Sequence, residues 1–191
     1  MSEQGALEPF VVVDRAAWRA WLHEHEDVSD GVWLVMAKKG VTDPTSLTYA
    51  EALEEALCSG WIDGQRRSRD ETTFLQRFTP RRARSLWSKR NVEAVTRLDA
   101  EGRLRERGRA EVALAQSDGR WDRAYAGQAT AEVPPELAEA LARVPAAQAA
   151  FEALKGSERF SALHPVLTAP NDATRTRRID ALVARLAANP A

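Results

Sequence analysis

The chain has 191 residues, 44% hydrophobic and 29% charged, with a formal net charge of −1; this suits one full domain or two small ones and reads as soluble and globular. No apolar run approaches the ~20 residues of a membrane span, and a single cysteine excludes an intramolecular disulfide. Met1 to Pro9 is acidic and lacks the basic and apolar regions of a signal peptide, so the expected location is cytoplasmic.

The near-zero net charge hides a strong asymmetry. Residues 1–65 hold 4 Lys/Arg against 12 Asp/Glu, residues 66–109 hold 14 against 6, and residues 110–191 hold 9 against 10. A basic block inside a neutral protein marks either an anion or nucleic-acid footprint or a set of partners for the acidic first third. Both readings stand on the sequence.

Asp14 is suited to cap a helix reaching about His25, with Trp18, Trp21 and Leu22 on one face. Gly31 to Lys39 reads as a buried strand, because Val32 to Met36 is continuously apolar between glycines. Lys38-Lys39 at its end either lines a basic face or is simply solvated. Thr42 to Ser46 is a turn. Thr48 and Glu51 form a capping box for a helix that carries Leu53, Ala56 and Leu57 inward and ends near Gly60. Trp61–Arg67 and Thr73–Thr79 read as two strands of a hairpin, closed by Pro80, which cannot donate to a ladder.

Beyond Pro80 the pattern is helical. Ser85 or Ser88 caps a helix to about Asp99, and Arg103 to Ser117 forms the next. Trp121 to Val133 is irregular. Helices then begin at Pro135 and Pro145, a short one spans Ser157 to Leu163, and Asn171 caps the last, with Ile179, Leu182, Val183 and Leu186 in one stripe. The expected fold is α+β: a small antiparallel sheet of about three strands with helices over 1–101, followed by an all-helical region over 102–191 packed on it.

The richest stretch runs from Ala56 to Asn91. Cys58 is the only thiol, but a helix C-terminus disfavours a thiolate, so a structural role competes with a chemical one. Trp61 and Asp63 share a strand face, and Asp63 is either an arginine-paired carboxylate, with Arg66 and Arg67 in reach, or a ligand-facing acid. Arg81, Arg82, Ser85, Trp87, Ser88 and Asn91 lie ahead of and within a helix N-terminus, where free N–H groups and guanidinium forks favour an anion. Serines there also serve as plain caps. The three histidines lack metal spacing, and no phosphate-binding glycine loop or hydrolase elbow is present, so no metal or cofactor is expected.

The run Ala56-Leu57-Cys58-Ser59-Gly60-Trp61-Ile62-Asp63-Gly64, then Phe78-Thr79-Pro80-Arg81-Arg82 through Trp87-Ser88 to Asn91, resembles the YdeI/OmpD-associated family, also labelled bacteriocin-protection proteins. Thr174-Arg175-Thr176-Arg177-Arg178-Ile179 extends the resemblance, which covers roughly Phe10 to Ala187. Ser59, in place of an aromatic, and Leu163-His164-Pro165, in place of a tryptophan-containing helix, depart from it. The resemblance implies a role in stress or bacteriocin resistance and names no reaction. The leading expectation is a small polar or anionic ligand held by Trp61, Arg66, Arg81, Arg82, Ser85, Trp87, Ser88 and Asn91, in a cleft where the hairpin and the Arg81 loop converge. One alternative is an enzyme using Asp63 and Cys58. Nucleic acid bound through the 66–109 block is the less favoured partner. Oligomeric state is not legible.

Overall fold

Residues 8–188 are described by a computed structural model and form two units, residues 8–85 with 91–121 and residues 86–90 with 122–188. The acidic Met1–Leu7 segment lies outside the described residues.

In the first unit, helix α1 spans Arg15–His25 and is capped by Asp14, whose carboxylate accepts from the Ala17 N–H at 2.9 Å. Strand β1 is Val32–Ala37. Helix α2, Tyr49–Cys58, has both halves of the expected capping box: the Thr48 hydroxyl accepts from the Glu51 N–H, and the Glu51 carboxylate accepts from the Thr48 N–H. Those bonds hold the Glu51 carboxyl below its usual value.

Strands β2, Trp61–Ser68, and β3, Thr73–Pro80, complete an antiparallel sheet in the order β1-β3-β2. Trp33 pairs with Arg77, Met36 with Phe74 and Asp63 with Phe78, and an irregularity between Asp63 and Arg66 shifts the β2 register. The hairpin turns on Asp70. Its carboxylate accepts from the backbone N–H and hydroxyl of both Thr72 and Thr73 at 2.6–2.9 Å. These bonds hold its pKa far below the usual range.

The core beneath the sheet is aromatic. Trp18 lies 5.6 Å from Phe78 and stacks on Trp21 at 5.3 Å, and Trp21 meets Trp61 edge-on at 5.9 Å. Buried indoles need acceptors: Trp18 donates to the Ala52 carbonyl and Trp61 to the Glu26 carbonyl.

Helices α3, Lys89–Ala100, and α4, Glu106–Ser117, follow. The latter starts three residues later than its sequence pattern suggests. Arg105 is extended, and its N–H donates to the Cys58 carbonyl at the end of α2. This segment thus answers an orphan helix carbonyl instead of joining α4. One turn later Gly108 presses on the same carbonyl; a Cβ there would sit 2.4 Å from it. These contacts keep α4 in the first unit, and the expected boundary near residue 101 falls inside that unit.

The charge asymmetry has a structural counterpart. Glu55, 1% exposed, accepts from Arg15 at 2.7 Å, Arg19 at 2.8 Å and Arg103 at 3.0 Å. Glu54 takes Arg15, Arg97 and Arg103. Arg105 pairs with Glu26 and Arg107 with Asp27. Arginines 97–107 therefore answer the acidic first third.

The second unit holds α5, Pro135–Ala142, α6, Pro145–Ala153, α7, Gly156–Leu167, and α8, Asp172–Ala188. Leu137, Leu141, Phe151, Leu163, Ile179 and Leu182 are among its buried core. Asn171 caps α8 by accepting from the Thr174 N–H at 2.8 Å. The sequence places the end of α7 at Leu163, yet the helix runs through Pro165 to Leu167. Burial of Val166 outweighs the bond that the proline removes.

Two outcomes test this packing. Glu55→Ala leaves three guanidinium groups without their shared carboxylate and should cost about 3–5 kcal/mol, read from urea unfolding. Its pH signature follows from a native pKa below the ordinary 4.5: burial raises it, but the Arg19 and Arg15 hydrogen bonds prevail. A depressed carboxyl contributes stability above its unfolded value and loses it as pH falls through the native one. Wild type should therefore lose stability below about 4.5 more steeply than Glu55→Gln. Gly108→Ala should overpack the α2–α4 contact and lower stability by about 1–3 kcal/mol, measured the same way.

Candidate functional site

Lys38 and Lys39 follow β1, and Gly40 turns the chain toward the segment that leads into α2. This stretch, the start of α2 and the hairpin line an open cleft of about 510 Å³, with Lys39, Ser46, Thr48 and Arg66 exposed along it. Lys38, Lys39 and Arg66 bring positive charge to its wall, Ser46, Thr48 and Tyr49 bring hydroxyls, and Phe74 brings an aromatic ring. No carboxylate lines it.

The cations are positioned by identifiable contacts. The Lys38 ammonium donates to the Asp70 carbonyl at 2.8 Å, and its N–H donates to the Thr72 carbonyl, so the Asp70 turn fixes that end of the wall. The Arg66 guanidinium lies 3.9 Å from the centroid of the Phe74 ring, a stacking arrangement that leaves its N–H edges available. Arg67 stacks on Trp33 at 4.2 Å, with Arg77 5.9 Å from the same ring. Burial first, and Arg67 second, lower the pKa of Arg77.

Asp63 reaches the cavity through a neighbour. Tyr49, on the wall, donates its hydroxyl to the Asp63 carboxylate at 2.7 Å. Among the described residues no arginine pairs with Asp63, although Arg66 and Arg67 are close in sequence. The bulge between Asp63 and Arg66 changes the side-chain alternation, and the two arginines stack on Phe74 and Trp33 instead.

Other residues singled out from the sequence lie elsewhere. Trp61 is fully buried with its N–H on Glu26. Cys58 is 1% exposed, and burial first, then the Glu55 carboxylate, push its thiol up to about 11. Arg81 is 4% exposed, and its N–H donates to the Gly60 carbonyl. Arg82 and Ser85 close a turn: the Arg82 N–H donates to the Ser85 hydroxyl at 2.9 Å, and the Ser85 N–H to the Arg82 carbonyl at 2.8 Å. Arg120, buried and held by Asp118, clamps this turn by donating to the Ser85 carbonyl. Asn91 is buried in α3. Trp87 and Ser88 belong to the second unit, where the Trp87 carbonyl accepts from the Tyr125 N–H and Ser88 bridges to Tyr125.

Tyr49 and Phe74 carry no local motif that marks them as cavity residues. Lys38-Lys39 was visible as a basic pair, but the position of Lys38 beside the hairpin depends on the Asp70 turn, far along the chain.

Residues 10–111, more than half of the chain, match the family model of a domain of unknown function, DUF8412. The chain belongs to that family. Residues 130–189 match the family described as bacteriocin-protection, YdeI or OmpD-associated. The second match contains the Thr174–Ile179 segment that carried part of the resemblance, whereas the Ala56–Asn91 motifs fall within the first. No curated protein and no solved structure matches the chain. Among the described residues no His, Cys, Asp and Glu cluster suits a metal ion, and no helix is long and apolar enough to cross a membrane.

The protonated, buried thiol yields a prediction. Cys58 should resist iodoacetamide at about pH 7.5 in the folded chain and be alkylated fully once urea unfolds it, as followed by mass spectrometry.

Proposed function

We propose that the DUF8412 unit binds a small anionic molecule in the cavity between the Lys38 turn, Tyr49 and the hairpin. The observation that carries this reading is the lining: three cations, with no carboxylate among the lining residues, around about 510 Å³, while the Ser46, Thr48 and Tyr49 hydroxyls already donate to the Val13 carbonyl and the Glu51 and Asp63 carboxylates. That volume lies within the ~300–1,000 Å³ of ordinary small-molecule sites. The lysines act as point charges, and Arg66, with its guanidinium over the Phe74 ring, offers a planar fork for a carboxylate or phosphate. A second anion contact at Arg81, Arg82 and Ser85 is less favoured, because the Arg82 backbone N–H is already given to the Ser85 hydroxyl and Arg81 is buried, although that hydroxyl keeps its own hydrogen to donate.

The Tyr49–Asp63 pair favours one further reading, in which the bound molecule is also acted upon. Asp63 orients the tyrosine hydroxyl at the wall, an arrangement suited to proton transfer. Cys58, buried and protonated, has no part in it. Nucleic acid is the weaker partner, because arginines 97–107 are engaged with Glu54, Glu55, Glu26 and Asp27. The bacteriocin-protection description names a phenotype, and a cytoplasmic module that sequesters or senses a small anion is compatible with it.

Phosphate and citrate titrated into the protein should raise its melting temperature. Lys38→Ala and Arg66→Ala should each weaken that binding by about ten- to a hundredfold, since a charge-assisted hydrogen bond contributes about 1.5–3 kcal/mol. Equal anion stabilisation in wild type and both variants, or none in wild type, would remove the cavity from consideration.

A further inference from the structure

The second unit contains a different opportunity. Two cavities of about 270 and 210 Å³ open onto its helical core, and Arg159 lines both. The first is bounded by Gln128, Ala129, Ala131, Phe160 and Leu163; the second includes Leu141 and Phe151. Leu163, Leu141 and Phe151 belong to the buried core of the unit, so apolar surface forms part of each wall. Arg159 is half-buried, with its guanidinium 4.5 Å from the Phe151 ring centroid. None of the ion pairs among the described residues involves it.

A cation stacked on an aromatic ring is partly stripped of water while its N–H edges stay available. Placed beside an apolar cavity, it suits a molecule with one carboxylate and an apolar body. Size agrees, because a dry cavity of about 150 Å³ is enough to accept benzene. Both cavities here are larger. The second carries Glu152, whose carboxylate accepts from the Gln148 amide at 3.0 Å and would repel an anion. The first has no acidic lining.

We infer that the second unit binds a small apolar monocarboxylate, its carboxylate on Arg159 and its body in the cavity between Ala129, Phe160 and Leu163. This site is separate from the one lined by Lys38 and Arg66, and it admits an apolar body where that one favours polar anions.

Isothermal titration calorimetry of the full chain with benzoate and with octanoate, using sulfate as the control, tests the inference. At least one carboxylate should bind saturably, and sulfate should not compete. Arg159→Met should weaken binding by about tenfold or more while the melting temperature stays near wild type. Ala129→Phe fills the first cavity from an exposed position and should abolish binding; Ala138→Phe, its counterpart in the second, should not. Lys38→Ala should leave the Arg159-dependent carboxylate binding unchanged, which keeps this result independent of the first site. No saturable binding, undiminished binding by Arg159→Met, equal competition by sulfate, or loss in Ala138→Phe with retention in Ala129→Phe would each overturn the inference.

Discussion

A single buried carboxylate organises the first unit. Glu55 sits in the middle of α2 and is closed off from water, yet three guanidinium groups converge on it. Arg15 and Arg19 come from α1, and Arg103 comes from the segment before α4. A charge removed from water is tolerable only when partners and hydrogen bonds replace its hydration. The helices are consequently fixed around α2 by direction as well as by apolar contact. Hydrophobic packing alone lets a helix slide; a carboxylate gripped from several sides does not.

This arrangement explains how the basic block of the sequence divides. Its later part, from Arg97 to Arg107, turns back to the acidic first third and serves the fold. Its earlier part remains on the hairpin, where Arg66 and Arg67 stack on Phe74 and Trp33. A cation on an aromatic face keeps its N–H edges accessible, so the same residue type serves assembly in one place and recognition in another.

Local chemistry was readable from the residues themselves. Asp14, the Thr48–Glu51 box and Asn171 cap helices as their types require, and the continuous apolar run of β1 and the two hairpin runs became a three-stranded sheet. Pairings across the fold were not readable. Asp63 has two arginines close by in sequence but takes a tyrosine hydroxyl fourteen residues earlier, because the β2 bulge intervenes. Trp61 gives no sequence sign that its N–H is satisfied by the Glu26 carbonyl rather than by a ligand. Proline likewise overstated its effect at Pro165, where the packing of Val166 carries the helix onward.

The sheet has two margins, and the chain treats them differently. On the outer side of β1, Phe10 donates its N–H to the Trp33 carbonyl at 2.7 Å and accepts from the Val35 N–H at 2.9 Å in a parallel bridge. That margin is thus occupied by the protein's own leading segment and offers those groups to no other strand. The opposite margin, β2, presents exposed Arg66 and Arg67 to any second copy. Two such margins brought together would set like charges against one another, so self-association through sheet extension is discouraged by occupancy on one side and by repulsion on the other.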